Sequence, residues 1–456
     1  MDKKYRSHFN SFVEEVERKN PHEPEFLQAV REVAEAVIPF MTDHPKYLNS
    51  NILQRMVEPE RVIMFRVPWV DDNKNVQVNR GIRVQFNSAI GPYKGGLRFQ
   101  PSVNLSVLKF LGFEQVLKNA LTTLPLGGAK GGADFDPKGK SDNEVMNFCQ
   151  SYMSELHRHI NKSTDIPAGD IGVGTREIGY LFGQYKRLEN EFAGVMTGKD
   201  INWGGSLIRP ESTGYGTVYF IEEMLKMIDD DLKDKKVVVS GSGNVAQYVI
   251  EKVSELGGLA LTASDSNGFI LARDGLTQQH LDFMKELKNQ ERGRISQFAE
   301  EFSDVKYFDN QEVWNAGDHL DQIDVAIPCA TENELDGNHA RKLMEKGVKV
   351  LGEGANMPCT EDAVHLFQES EVLFAPGKAA NAGGVATSGL EMSQNALRLS
   401  WDREKVDDKL RTIMYNVHQQ CLEYGKKENG GIDYIKGASV AGFVKVADAM
   451  IDQGVV

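Results

Sequence analysis

The run Gly241-Ser242-Gly243-Asn244-Val245-Ala246 constrains the fold of this chain more than any other stretch. It follows the β-branched segment Lys236-Val237-Val238-Val239-Ser240 directly and opens a helical pattern. In a strand–turn–helix context, G-x-G-x-x-A carries a physical meaning. The first glycine permits a tight turn, the second lets backbone approach a pyrophosphate, and the small sixth residue lets helix and strand pack closely. The helix N-terminus then presents unpaired N–H groups to phosphate charge. Dinucleotide binding is the reading these residues favour over a glycine-rich structural turn.

The surrounding sequence supplies the sheet. Short β-branched or apolar runs recur at 259–264, 324–328, 349–352 and 372–375, with helical segments between them. Strands alternating with helices predict βαβ units and a parallel sheet. An acidic residue about 20 positions beyond the glycines bonds a ribose in NAD-binding units. Asp265 is the candidate, with Ser264 or Ser266 as alternatives for that place. Lys288, Arg292 and Arg294 form a basic cluster suited either to a 2′-phosphate or to a solvated helix end. These residues alone leave NAD and NADP both open.

The first half differs in character. Residues 8–45 carry apolar side chains at three and four spacing (Phe26, Val30, Val33, Val37) and predict helices. From about 60 to 100 the pattern is strand-like: Val62–Val70, the polar turn Asp71–Asn75, then an alternating partner from Val76 to Asn87. Helices are predicted near 104–120 and 142–162, and a domain boundary near 200–210. The tail from 438 to 450 reads as an amphipathic helix.

Three lysines in this half are unusual. Lys94 sits in Gly91-Pro92-Tyr93-Lys94-Gly95-Gly96, and Lys130 in Gly127-Gly128-Ala129-Lys130-Gly131-Gly132. Lys118 lies on the 104–120 helix, near Gln115. A lysine flanked by glycines has little side-chain cover of its own and close backbone neighbours. Desolvated there, its amine loses basicity and becomes usable as a base or proton donor. The alternative for each is a surface lysine. Asp170, in Pro167-Ala168-Gly169-Asp170-Ile171-Gly172, either moves protons or caps a turn.

Composition removes other classes. A formal net charge of -14, with no long Lys/Arg run, argues against a nucleic-acid partner. No stretch approaches the apolar length of a membrane helix, and the N-terminus lacks an apolar leader, so a cytoplasmic protein is expected. Cys149, Cys329, Cys359 and Cys421 are scattered, which excludes a disulfide framework and a zinc-type spacing, so no metal is expected.

Leu124 to Pro137, around Lys130, resembles the active-site signature of the Glu/Leu/Phe/Val dehydrogenases. The resemblance extends through Pro167–Gly174, Arg209-Pro210-Glu211-Ser212-Thr213-Gly214-Tyr215-Gly216, Gly352–Pro358 and Ala375–Val385, nearly the whole chain. The nearest likeness is to the hexameric, NADP-dependent subgroup of bacteria and lower eukaryotes that acts on glutamate. It implies an α/β fold with two domains. One is an N-terminal α/β substrate and oligomerisation domain over 1–205, to which a C-terminal helix (428–456) returns. The other is a Rossmann-like, doubly wound dinucleotide-binding domain over 206–427. A homohexamer is implied in the same way.

The resemblance also implies roles. Lys130 and Asp170 match catalytic positions. Lys118 and Gln115 match residues that hold the substrate α-carboxylate. Lys94 and Ser388 match those that hold the side-chain carboxylate, and Gly169 lies at the substrate. Arg209, Thr213, Gly241, Ser242, Gly243, Asn244, Val245, Asn356 and Asn381 match cofactor-lining positions, with Asp265, Ser266, Lys288 and Arg294 at the adenosine end. The expected reaction is reversible oxidative deamination of L-glutamate to 2-oxoglutarate and ammonium with NADP(H), in a cleft between the domains. The alternatives are an NAD-dependent glutamate enzyme, a branched-chain or aromatic amino-acid dehydrogenase, and a non-catalytic dinucleotide-binding regulator. Leucine and phenylalanine enzymes are similar around Gly95-Gly96 but apolar where Lys94 stands. A buried cation facing an isobutyl group would be unpaired, so Lys94 favours a dicarboxylic substrate.

Overall fold

The computed structural model describes residues 3–428 and 430–456. The chain forms two compact units: residues 1–209, 385–406 and 439–456 make the first, and residues 210–384 and 407–438 the second.

The first unit is built on a five-stranded sheet: β1 (Arg61–Val70), β2 (Val76–Asn87), β3 (Tyr93–Phe99), β4 (Gly128–Ala133) and β5 (Asp165–Gly169), in the order β1-β2-β4-β3-β5. β1 and β2 form the predicted antiparallel hairpin. Its turn is closed by Asp71, whose Oδ1 accepts the Asn75 N–H at 2.8 Å. β3 runs parallel to both β4 and β5. The helix Leu105–Leu121 starts where the Asn104 side chain accepts the Val107 N–H at 3.0 Å, an N-cap. Ser141 and Glu144 form a capping box for the helix Asp142–Leu156. The predicted apolar stripe of the helix Pro24–Asp43 (Phe26, Val30, Val33, Val37) is buried in one core with Phe443 and Val446 of the helix Tyr434–Asp452. A second core packs Phe99, Phe135, Phe148 and Tyr152.

The second unit holds β6 (Lys236–Val239), β7 (Leu259–Ala260), β8 (Thr262–Asp265), β9 (Gly268–Ala272), β10 (Val305–Asp309), β11 (Val325–Ile327), β12 (Val350–Gly352) and β13 (Leu373–Ala375). Five of these form a parallel sheet in the order β13-β12-β11-β6-β7. The strand order reverses between β6 and β11. In open α/β sheets ligands bind at such a switch point, beyond the carboxyl ends of the strands.

The structure departs from the sequence expectations in four places. The run 259–264 is two strands: β7 closes the parallel sheet, whereas β8 joins the three-stranded sheet β10-β9-β8. β4 and β5 are strands of the first sheet although glycine and proline weaken any strand pattern in them. Residues 385–406, placed by the sequence with the dinucleotide domain, group with the first unit, where Glu391, Gln394 and Asn395 bond the 198–206 segment. The C-terminal return begins at 439 rather than 428, with 407–438 in the second unit. Among the described residues, no helix is long and apolar enough to cross a membrane.

Candidate active site

In the first unit, the parallel strands β3, β4 and β5 bring charged side chains together. Lys130, central on β4, lies with its Nζ 3.2 Å from Asp170 Oδ2, just past the end of β5. The same oxygen accepts the Arg98 Nε–H at 2.7 Å. Gly96 is what permits this approach: a Cβ there would stand 2.8 Å from the Asp170 Cβ. Burial drives the Lys130 amine below its ordinary value, with Asp170 opposing. Burial alone would raise the Asp170 carboxyl; the Lys130 and Arg98 cations hold it below the usual carboxylate range. The result is a carboxylate held between two cations, one of them of reduced basicity.

Lys118 is near this pair, on the helix Leu105–Leu121. Burial, reinforced by the Lys130 charge, lowers its amine to about 8. One turn earlier, Gln115 Nε2 donates to Asn119 Oδ1 at 2.6 Å. Asn119 in turn donates to the carbonyls of Lys94 and Gly127, so it fixes the backbone of two glycine-rich strands from one helix.

Lys94 is 1% exposed. Its Nζ donates to the Ile166 carbonyl at 3.0 Å and to Thr197 Oγ1 at 2.8 Å. Both partners are neutral, and burial pushes the amine well below its ordinary value. Ser388 is buried on the helix Gly383–Leu397, and the next residue, Gly389, packs on Leu124 and Leu126. Gly169 ends β5, opposite Leu97 of β3. Beneath these strands Arg83 and Asp165 form a fully buried ion pair, with Gln85 Nε2 also donating to Asp165 at 3.0 Å.

The second unit assembles the glycine run as the sequence predicts. Gly241 has φ +82°, reserved in practice for glycine. Gly243 caps the helix Asn244–Glu255, and a Cβ built on it meets open space. Ala246 is buried. Ser242 is buried, and its carbonyl accepts from Gln247. Asn244 Nδ2 donates to the Pro210 carbonyl at 2.6 Å, which ties the loop to the start of the helix Ser212–Lys226, where Thr213 sits. Val245 is half-buried behind the turn. Beyond β12, Asn381 Nδ2 donates to the Ala355 carbonyl and to Asn356 Oδ1, which leaves Asn356 at the surface. Arg209 closes the first unit's main segment, and burial pushes its guanidinium below the ordinary value, with Glu391 opposing.

The adenosine-end candidates divide. Ser264 is committed to the fold: its Oγ accepts the Gly241 N–H at 2.7 Å. Asp265 turns inward, accepting the N–H groups of Asn267 and Ile295, each at 3.0 Å. Lys288 and Arg294 lie 3.8 and 4.0 Å from its Oδ2. A carboxylate so engaged is a poor ribose ligand, and its two cations are held near the β8 turn. Arg294 Nη1 also donates to Ser266 Oγ at 3.0 Å, and its side chain is 57% exposed. Arg292, in contrast, takes a left-handed conformation at a helix end. An inward Asp265 with Ser266, Lys288 and Arg294 around the turn fits a dinucleotide bearing a 2′-phosphate.

Arg98, Thr197, Asn119 and Glu391 were not singled out from the sequence. For Arg98 a signal existed: Lys94, Gly96 and Arg98 alternate, which puts both cations on one face of a strand. Thr197 and Glu391 sit in segments distant in sequence from the residues they serve.

Comparison with known proteins gives a consistent result. Residues 204–454 match the family model described as Glutamate/Leucine/Phenylalanine/Valine dehydrogenase. Residues 59–187 match the Glu/Leu/Phe/Val dehydrogenase dimerisation domain. The chain is 57% identical over 456 residues to the NADP-specific glutamate dehydrogenase of Escherichia coli, covering 100% of both. It is 56% identical to an NAD(P)-specific glutamate dehydrogenase of Xylanibacter ruminicola, over 97% of this chain and 98% of that one. A crystal structure of Plasmodium falciparum glutamate dehydrogenase superposes with a TM-score of 0.96 at 50% identity, covering 99% of this chain and 96% of that one.

Proposed function

Because this chain belongs to the Glutamate/Leucine/Phenylalanine/Valine dehydrogenase family, we propose that it interconverts L-glutamate with 2-oxoglutarate and ammonium, using NADP(H). The observation that carries the reading is the buried Lys130–Asp170 pair with Lys94 buried on the neighbouring strand.

Lys94 and Ser388 hold the side-chain carboxylate. Lys118 and Gln115 hold the α-carboxylate. Charge-assisted bonds at both ends fix the substrate Cα in one orientation. In amination, the Lys130 ammonium polarises the 2-oxo group while ammonia adds. As nitrogen adds, Lys130 gives its proton to the former 2-oxo oxygen; Asp170, in contact with Lys130, takes a proton from the adding nitrogen and returns it to the carbinolamine hydroxyl, which departs as water and leaves the iminium. NADP(H), held by the residues named next, would supply the hydride chemistry at the substrate Cα in either direction. Gly241, Ser242, Gly243 and the helix from Asn244 hold the pyrophosphate. Thr213, Val245, Asn356, Asn381 and Arg209 line the nicotinamide side. Ser266, Lys288 and Arg294 take the 2′-phosphate, with Asp265 orienting the two cations.

The functional assembly is a cytoplasmic homohexamer. In its support, β1 is an edge strand, and the β1–β2 hairpin exposes Val62, Met64, Val76 and Val78. Monomers seldom leave such an edge uncovered. Light scattering should return six times the 50.8 kDa protomer.

The decisive assay is the initial rate of L-glutamate oxidation with NADP+ and with NAD+ in parallel, with L-leucine as control. Strong glutamate turnover with NADP+ is expected. Turnover with NAD+ alone would make Asp265 a ribose ligand. Leucine turnover without glutamate turnover would overturn the role of Lys94.

A further inference from the structure

The helix Gly383–Leu397 carries Ser388 and, three residues on, Glu391, on the same face. Glu391 is fully buried and forms an ion pair with Lys199, Nζ to Oε1 2.7 Å, whose side chains are 1% and 0% exposed. Its carboxylate also gathers backbone: Oε2 accepts the Gly198 N–H at 3.0 Å and Oε1 the Lys199 N–H at 3.4 Å. Lys199 Nζ closes back onto the Met196 carbonyl. The residue enclosed by these bonds is Thr197, the hydroxyl partner of Lys94. Its own N–H is bonded to the Pro167 carbonyl of β5 at 3.0 Å.

The same helix grips the segment twice more. Gln394 Nε2 donates to Ser206 Oγ at 2.8 Å and Asn395 Nδ2 to the Gly204 carbonyl at 2.7 Å. Those two contacts are neutral and replaceable. The Glu391–Lys199 contact is a buried charge pair, which is costly to build and more costly to break on one side. Hydrophobic side chains of similar volume would hold a helix to a loop at least as firmly. Glu391 is also the carboxylate whose field most favours charge on both Lys94 and Arg209.

We infer that the Glu391–Lys199 pair is a positioning device for substrate selectivity, setting the separation between Ser388 and Lys94, which together receive the side-chain carboxylate, through Thr197, the hydroxyl to which Lys94 donates. Neither residue touches substrate; each acts through the residue beside it. The inference rests on the proposed glutamate reaction and deepens it. It locates the length and charge selectivity of the pocket in a pair outside the pocket.

The test uses the full-length enzyme with Glu391→Gln, which keeps an oxygen for the Gly198 N–H but removes the charge, and Lys199→Met. Rates are read with L-glutamate and with L-norvaline, which has the same chain length without the side-chain carboxylate. KM for L-glutamate should rise about tenfold, because small misplacements of binding groups carry penalties of that order. The kcat, the KM for NADP+ and the norvaline kcat/KM should stay within about twofold, so the glutamate-to-norvaline preference collapses. A lower melting temperature with an unchanged preference would mean the pair is only structural and would overturn the inference. Should either variant fail to fold, Lys199→Arg keeps the buried pair but alters its length; a shifted preference supports the inference and an unshifted one overturns it. Wild-type enzyme without glutamate turnover would sink the proposed function and this inference together, whereas active wild type with unaltered variants would sink the inference alone.

Discussion

The candidate sites of the two units are built from opposite materials. In the first, the working groups are buried charged side chains on strands and helices: Lys94 and Lys130 are 1% and 5% exposed. In the second, the glycine turn offers backbone N–H groups and open space at Gly243, and its outermost cation, Arg294, is more than half exposed. Burial changes what a side chain can do. Among strands β3 to β5 it lowers the basicity of Lys94 and Lys130, a property that the proposed proton transfer at Lys130 would use. At the β8 turn, Lys288 and Arg294 lie within 4.0 Å of Asp265, where the proposed role is to meet phosphate charge. If the first region carries the proposed chemistry and the second the recognition, mutations should differ in kind between them.

The largest expected effect is on Lys130. Lys130→Ala should cut kcat by about 10²–10⁴-fold, the usual worth of a positioned acid–base group. NADP+ binding, followed by fluorescence titration, should stay unchanged. Retained turnover would remove Lys130 from the chemistry and erase the contrast between the regions. Lys94→Leu comes next. Losing a charge-assisted bond to substrate is worth about 1.5–3 kcal/mol, so kcat/KM for L-glutamate should fall about 10- to 100-fold. The melting temperature should not fall, because a buried amine whose hydrogen-bond partners are both neutral costs folding energy rather than contributing it. A marked loss of stability would show Lys94 to be structural.

The contrast also explains what could be read from sequence. The glycine turn was legible because each residue answers a local demand: the positive φ of Gly241, the helix start at Asn244, the small Ala246. The unusual setting of Lys130, with paired glycines on both sides, and of Lys94, with Gly95-Gly96 after it, was legible because such glycines leave few structural explanations. The strand identity of β4 was not, since strand patterns rest on β-branched side chains and Gly128–Ala133 has none. The Arg83–Asp165 pair joins residues 82 apart in sequence, and Lys199–Glu391 joins residues 192 apart. Nothing in local spacing links such partners. The split of 259–264 between two sheets was hidden for a similar reason: alternation identifies strands but not which sheet each joins.

At the exposed site the effects should be smaller and depend on salt. Arg294→Ser should raise the KM for NADP+ by about tenfold at low ionic strength, less at physiological salt where surface charges are screened. The KM for NAD+ should barely change. Equal effects on both cofactors would place Arg294 at a part of the dinucleotide common to the two, away from the 2′-phosphate.

The smallest expected effect is a pH dependence, and it tests whether burial truly sets the first site apart. Lys118 titrates at about 8, lowered by burial and by Lys130. It is cationic below that value and neutral above, so its hold on a carboxylate weakens as pH rises. Between about pH 7 and pH 8.5 the cationic fraction of such a group falls from about nine-tenths to about a quarter. The KM for 2-oxoglutarate should therefore rise about fourfold over that range, after allowance for the ammonia equilibrium at fixed free ammonia. An exposed lysine near 10.5 would show no such rise. In Lys118→Gln the profile should flatten at a high KM, because the amide donates a hydrogen bond but carries no charge to lose. A rise that persists in Lys118→Gln would assign the titration to another group, with Lys130 the first to examine.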